Sequence, residues 1–299
     1  LAKSLATEGH GAVTIKRNSP TLLNAVYTEK FFYDLRESSL ERQVSHVIMD
    51  SLEFGTNFTE IVQKLKQSEE YTTLFEEAYG DFPQYALTKW SISDALAAYV
   101  AKLTSFNSTF DKYIRNEIPD IDPAVVRGFN LFTGKAACAT CHFAPTFNGL
   151  VPPAYSESES EVLGVPAKND STNLVLDGDI GRFGGGSPKE EAPFYEHSFK
   201  TVTIRNIAET APYMHNGAYE TLEEVVDFYN KGGGAGMGIH VPYQTLPDAP
   251  LGLTAQEQND IIAFMKSLSD NPYENDMPDF LPEFEGHSEW NTRTIGGRY

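Results

Sequence analysis

The stretch Cys138-Ala139-Thr140-Cys141-His142 decides how this chain is read. Two thiols three positions apart, followed at once by a histidine, form the C-x-x-C-H sequence that attaches a c-type haem. One helical turn brings both sulfurs to the same edge of a porphyrin, where they form thioethers with its vinyl groups. The imidazole of His142 then reaches the iron. Three plainer readings compete: a zinc half-site, a thioredoxin-like redox pair and a structural disulfide. Zinc needs two further ligands at close spacing, and the chain has only these 2 cysteines. A redox C-x-x-C follows a strand in a βαβ unit, whereas this one follows an amphipathic helix. With both thiols consumed by haem, disulfides play no part.

Outward from the motif the signals are helical. Asp122-Pro123 is an N-cap followed by proline at the first helical position, and Val125, Val126, Phe129 and Phe132 give that helix a buried face. Gly134 stops it just before the motif. Thr221 with Glu224 caps a helix through Leu222, Val225, Val226 and Tyr229, ended by Gly232-Gly233-Gly234. Thr254 with Glu257 caps a last helix through Ile261, Ile262, Met265 and Leu268. A helix before the haem motif and one at the end are the pair that a cytochrome c fold crosses. Between them, residues 150–198 read as a long surface excursion with little core of its own.

Upstream, the first forty residues are irregular. Leu40, Val44, Val47 and Ile48 then fall on one helical face. Asn57 with Glu60 makes a capping box, Tyr71, Leu74, Phe75 and Ala78 form another stripe, and Ser91 with Asp94 is expected to cap a helix carrying Leu96, Tyr99, Val100 and Leu103. Residues 107–121 read as a short helix and a linker. No internal repeat or convincing run of strands appears, so the fold class is mainly α.

The chain of 299 residues is long enough for two ordinary domains, with 40% hydrophobic and 22% charged residues. No run of eighteen apolar residues is present, so no transmembrane segment is expected. A formal charge of −19 argues against a nucleic-acid partner and for a basic or small one. Covalent haem attachment takes place outside the cytoplasm in bacteria, which makes a periplasmic location and a removed export signal the expectation.

Several ordered blocks resemble the bacterial di-haem cytochrome c peroxidase family, including its MauG-type branch. They are residues 17–24 (Arg17 to Asn24), Phe32-Tyr33-Asp34-Leu35-Arg36, Leu52-Glu53-Phe54-Gly55, the haem motif, Thr203-Ile204-Arg205-Asn206, residues 210–217 (Thr210 to Gly217) and residues 221–226 (Thr221 to Val226). The resemblance implies two cytochrome c-like helical domains: residues 1–118 as the peroxidatic domain, residues 119–268 carrying the covalent haem, and a tail, 269–299, packing back on the surface. It further implies a second haem c, whose attachment segment is expected upstream of Leu1, and a calcium ion between the haems; a true single-haem relative is the alternative.

Position by position, the resemblance assigns Gln43 and Glu53 to the polar pair beside the peroxidatic haem: a carboxylate to move the peroxide proton and an amide to orient the oxygens. His10 matches a distal ligand of that haem in the resting state. Tyr229 stands where peroxidases carry a methionine ligand to the second haem and MauG-type enzymes a tyrosine; Met214 and Met237 are rivals, and a core tyrosine is the plain reading. Asn18, Thr210 and Pro212 match the calcium site. Tyr33 replaces the tryptophan usual between the haems and is the expected electron relay. His197 and His215 read as structural, hydrogen-bonding histidines.

The activity implied is reduction of hydrogen peroxide with electrons from a small donor protein, such as a cytochrome c or a cupredoxin, reaching the C-terminal haem first. The alternatives are MauG-like oxidation of a protein or organic substrate via high-valent iron, and a non-catalytic electron-transfer cytochrome. Members of the family are often homodimers.

Overall fold

The computed structural model describes residues 15–156, 158–185, 192–270 and 278–293. The described chain is mainly helical, and its helices gather around two cores. In the first, α1 (Leu40–Met49), α2 (Phe58–Leu65), α3 (Glu69–Ala78) and α4 (Lys89–Lys102) surround Ile48, Phe58 and Ile92. The α2 cap forms by half: the Asn57 side chain accepts from the Glu60 amide, while the Glu60 carboxylate accepts from Thr56 at 3.1 Å instead of closing a box. The expected Ser91–Asp94 cap of α4 is overturned. The helix begins three residues earlier, where Thr88 and Ser91 form the capping box, because the Asp94 carboxylate accepts from the Tyr79 hydroxyl at 2.7 Å.

The second core is built on α5 (Thr109–Ile114), α6 (Pro123–Thr133), α7 (Leu222–Asn230), a single turn α8 (Gly233–Gly236) and α9 (Ala255–Ser267). Each long helix starts where local chemistry dictates. Asp122 accepts from the Ala124 amide with proline at the first position of α6, and Thr221/Glu224 and Thr254/Glu257 close complete capping boxes on α7 and α9. Helices α6 and α9 cross in close contact. A Cβ on Gly128 would stand 1.9 Å from the Asp260 carbonyl oxygen, so only glycine lets the two backbones meet. Arg127 clamps the same crossing with two hydrogen bonds of 2.8 and 2.9 Å to the Asp260 carboxylate. Phe110, Phe129, Phe132, Phe147 and Phe264 pack inside it at tilted and edge-to-face angles, with centroids 5.0–6.1 Å apart.

Residues 150–198 are more than a surface excursion. Leu150, Val162 and Val165 are buried, and two short strands, β1 (Ser160–Val162) and β2 (Ser198–Lys200), pair antiparallel with Glu161 opposite Phe199. Sequence patterning missed these strands because three residues are too few to show an alternation. Buried Arg205 ties the two halves of the C-terminal core, donating to both oxygens of Asp111 on α5 at 2.8 and 2.9 Å. Asn24, in the left-handed region at φ 59°, exchanges hydrogen bonds with the Ser105 backbone and anchors the N-terminal segment on the end of α4. Beyond α9, Phe284 is buried against Tyr71 of α3 and Trp290.

Candidate functional site

The haem motif forms a tight turn after α6, with the His142 amide donating to the Cys138 carbonyl at 3.0 Å. The His142 Nδ1 lies 3.1 Å from the Phe147 carbonyl, which can only accept. Nδ1 therefore carries the proton and Nε2 keeps its lone pair. Burial lowers the imidazole's proton affinity and favours the neutral form a metal ligand requires. His142, Cys138 and Cys141 all line one cavity of about 330 Å³, whose wall includes the apolar side chains Phe132, Val165, Ile204, Leu222, Ile261 and Met265 beside polar and charged residues.

This donor set fits haem c and disfavours the other readings. Burial pushes the Cys138 thiol up to about 12 and that of Cys141 up to about 11, the reverse of an activated redox pair. Glu159 and Glu161 have ligand atoms within 4.8 Å of the Cys141 sulfur, but neither Cys138 nor His142 joins that group, so no four-ligand zinc site is assembled among the described residues.

Tyr229 on α7 and Met214 both line the same cavity, and so does Met265, which sequence reasoning did not weigh. Met237 instead packs against the C-terminal core and is not in the cavity wall. Burial raises the Tyr229 phenol well above its ordinary value, an effect that a bound cation reverses. His197 and His215 line the cavity but are tied elsewhere. The His197 Nδ1 meets the Asp179 carbonyl at 2.8 Å, and the His215 Nε2 meets Asp177 at 3.3 Å with its ring stacked 3.5 Å from Phe199.

A second cavity, of about 1300 Å³, lies beside α1. Gln43, His46, Val47 and Asp50 fall on one face of α1 and its C-cap, at the spacing that puts residues three and four apart side by side, and all four line this cavity. Glu53 joins them from the turn after α1, its amide donating to the Asp50 carbonyl at 3.1 Å. Gln43 and Glu53 thus line the same cavity. Burial, reinforced by Asp50, raises the Glu53 carboxyl, while Arg36 and His46 work against the rise. His46 escaped sequence reasoning, although its i+3 spacing from Gln43 was available to it; Arg36 was noted only as part of the Phe32–Arg36 block, without a role. His10 lies outside the described residues.

Tyr33, Asn18 and Lys200 line both cavities. Burial raises the Tyr33 phenol and lowers the Lys200 ammonium to about 8. A charged chain runs along the second cavity: Arg36 donates to Asp34 at 2.7 and 2.9 Å, and Arg17 donates to Asp34 and, at 2.5 and 2.8 Å, to Asp179. Burial lowers the proton affinity of Arg17, but hydrogen bonds from its guanidinium to Asp179 and Asp34 outweigh it and fix the charge. Of the expected calcium residues, Asn18 donates through Nδ2 to the Pro212 carbonyl at 2.6 Å, and Thr210 lines the first cavity from the same turn.

An attachment pair of cysteines, a histidine whose second ring nitrogen is unprotonated and a cavity between them inside a helical fold define a c-type haem protein. Comparison with known proteins narrows this. The family model for di-haem cytochrome c peroxidase matches residues 2–118. The chain is 30% identical to methylamine utilization protein MauG of Methylorubrum extorquens, covering 90% of this chain and 69% of that protein. It is 28% identical to cytochrome-c peroxidase IdrP2 of Pseudomonas sp. strain SCT, covering 94% and 76%. The crystal structure of a MauG-like protein associated with microbial copper homeostasis superposes with a TM-score of 0.74 at 26% identity, covering 89% of this chain and 79% of that one. The diheme peroxidase BthA from Burkholderia thailandensis shares the fold, with a TM-score of 0.68 at 21% identity over 92% and 77%. The chain belongs to the di-haem cytochrome c peroxidase family and is a peroxidase-like haem c enzyme. Among the described residues, no helix is long and apolar enough to cross a membrane.

Proposed function

We propose that the protein reduces hydrogen peroxide to water in the periplasm with electrons from a small donor protein, a cytochrome c or a cupredoxin. One observation carries this reading: Tyr33 lies in the wall common to the Cys138/Cys141/His142 cavity and the cavity holding Gln43 and Glu53. When bound, haem c supplies the redox-active iron. Cys138 and Cys141 would hold it covalently, and His142 would offer Nε2 to the metal. In the second cavity the Glu53 carboxylate takes a proton from one peroxide oxygen and returns it to the other, while the Gln43 amide orients the pair. The raised carboxyl of Glu53 holds its proton more readily than an exposed glutamate, which suits an acid–base shuttle. Tyr33 bridges the cavities as the electron relay. Asn18, Thr210 and Pro212 would hold a calcium ion through one side-chain oxygen and backbone carbonyls, the ion replacing the hydrogen bond that Asn18 now gives Pro212.

We assign residues 1–118 to peroxide, residues 119–268 to the motif haem and residues 269–299 to a tail; the contact of Phe284 with Tyr71 supports a tail that returns to the body of the protein. Tyr229 in the first cavity favours a second reading, MauG-like oxidation of a protein or organic substrate. Intact mass and a pyridine haemochrome assay on the native protein, followed by peroxide turnover with a reduced c-type cytochrome, test the proposal. Two haems per chain and steady turnover that falls roughly 100-fold or more in Glu53→Gln support it. One haem without turnover leaves an electron-transfer cytochrome, and two haems without donor-dependent turnover favour the MauG-like reading.

A further inference from the structure

The second cavity is not the only space against α1. A cleft of about 470 Å³ lies on the other side of that helix, lined by Glu37, Glu41, Arg42, Met49, Lys89 and Trp90 among others. His46 is the one residue, among those described, that lines both the cleft and the cavity of Gln43 and Glu53. Its ring is held from two sides: Nδ1 lies 3.3 Å from the Glu37 carboxylate, and the ring meets Phe32 edge-on at 5.3 Å. Arg42 donates to the same Glu37 carboxylate at 2.8 Å and keeps it in place.

We propose that His46, positioned by Glu37, passes protons from the outer cleft into the peroxide cavity. The proposal rests on the peroxidase reading and deepens it. Reducing one hydrogen peroxide to two waters breaks the O–O bond, forms two new O–H bonds and consumes two electrons and two protons. The electrons come from the reduced donor protein. Glu53 returns to one oxygen the proton it took from the other, so it moves protons within the cavity without adding any. The two consumed protons must arrive from outside, and an imidazole open to both spaces is suited to carry them. The anionic Glu37 carboxylate can only accept, so Nδ1 keeps its proton toward Glu37, and the traffic runs through the other nitrogen, which takes a proton from water on the cleft side and releases it to the cavity.

The charged groups around it are arranged for that traffic. On the cleft side stand Glu37, Glu41, Arg42 and Lys89; on the cavity side stand Arg36, Asp50 and Glu53. Burial alone would raise the Glu37 carboxyl, but hydrogen bonds from His46 and Arg42 bring it below its ordinary value and keep it anionic beside the ring. His46 in turn acts electrostatically on Glu53, so the two groups share one field. Helix geometry supplies the placement: Gln43 and His46 are three apart on α1 and neighbours on its face.

The test uses the ferric holoprotein, the variants His46→Gln and Glu37→Gln, and cyanide as the probe. Hydrogen cyanide sheds a proton as it binds, so its association rate reports proton removal from the cavity independently of turnover. Stopped-flow absorbance should show association slowed roughly tenfold or more in His46→Gln, with an enlarged solvent isotope effect and recovery on adding imidazole. Glu37→Gln should move the rate in the same direction by a smaller factor, and it alone decides the matter if His46→Gln does not fold. Unchanged rates and isotope effects would overturn the proposal. So would a change of the resting electron paramagnetic resonance spectrum in His46→Gln from one low-spin signal to another, which would make His46 an iron ligand. Wild-type protein that turns over peroxide while the variants bind cyanide normally sinks the proton path and spares the peroxidase reading. Slowed cyanide binding in a protein without peroxide turnover does the reverse.

Discussion

The amide of Lys200 donates a 2.8 Å hydrogen bond to the carbonyl of Tyr33, and both residues line the two cavities. That bond pins the N-terminal segment to strand β2, so the partition between the two sites is a backbone contact and not a chance meeting of side chains. Lys200 adds a second tie through its ammonium, which donates to the Lys30 carbonyl at 2.6 Å. Backbone and side chain thus both hold the partition in position.

If Tyr33 relays electrons, Tyr33→Phe should slow transfer between the haems while leaving the melting temperature within a few degrees of wild type. The buried phenol keeps its proton at neutral pH, so its oxidation must release that proton. Stopped-flow reduction by the donor, followed at both haems, is the measurement. An unchanged second phase would remove Tyr33 from the route.

Axial ligation at the first cavity separates Tyr229 from Met214. Tyr229→Phe should alter the ferric absorption and magnetic resonance spectra and raise the midpoint potential, because a phenolate stabilises the oxidised iron more than a thioether does. Met214→Leu should leave both nearly untouched. The opposite pattern would transfer the ligand role to Met214.

The helix crossing predicts a packing defect. Gly128→Ala forces its methyl group against the Asp260 carbonyl, 1.9 Å away, and the backbones of α6 and α9 must separate. Overpacking of this kind costs about 1–3 kcal/mol or more. Chemical denaturation of the holoprotein should show the loss, together with reduced covalent haem incorporation.

Arg205 and Asp111 predict an acid limb of stability. Burial would raise the Asp111 carboxyl, but the Arg205 guanidinium and the Ser108 hydroxyl hold it below its ordinary value. A folded-state value below the unfolded one gives stability that is full above about pH 4 and is lost as pH falls through the depressed value. Asp111→Asn leaves the buried Arg205 charge unpaired and should cost roughly 3–5 kcal/mol at neutral pH. Thermal melts from pH 6 downward should show wild type approaching the variant as acid removes the pair; parallel curves would refute the linkage.

Features that depend on near neighbours in the chain were legible from the residues. The C-x-x-C-H spacing, Pro123 at the start of α6, and the Thr221/Glu224 and Thr254/Glu257 boxes each act across a helical turn, and each forms as the residues dictate. Where two local solutions competed, as at Thr88 and Ser91 against Ser91 and Asp94, the outcome depended on Tyr79 reaching Asp94 from another helix. Tertiary structure alone decided the sites. Asn18 meets Pro212 across 194 positions, the partition joins Tyr33 to Lys200, and His46 opens onto two spaces because α1 packs against α4 on one side and leaves a cavity on the other. Hydrogen bonds within a turn are encoded by adjacent residues, whereas a cavity is bounded by whichever distant segments the packing of apolar faces draws together.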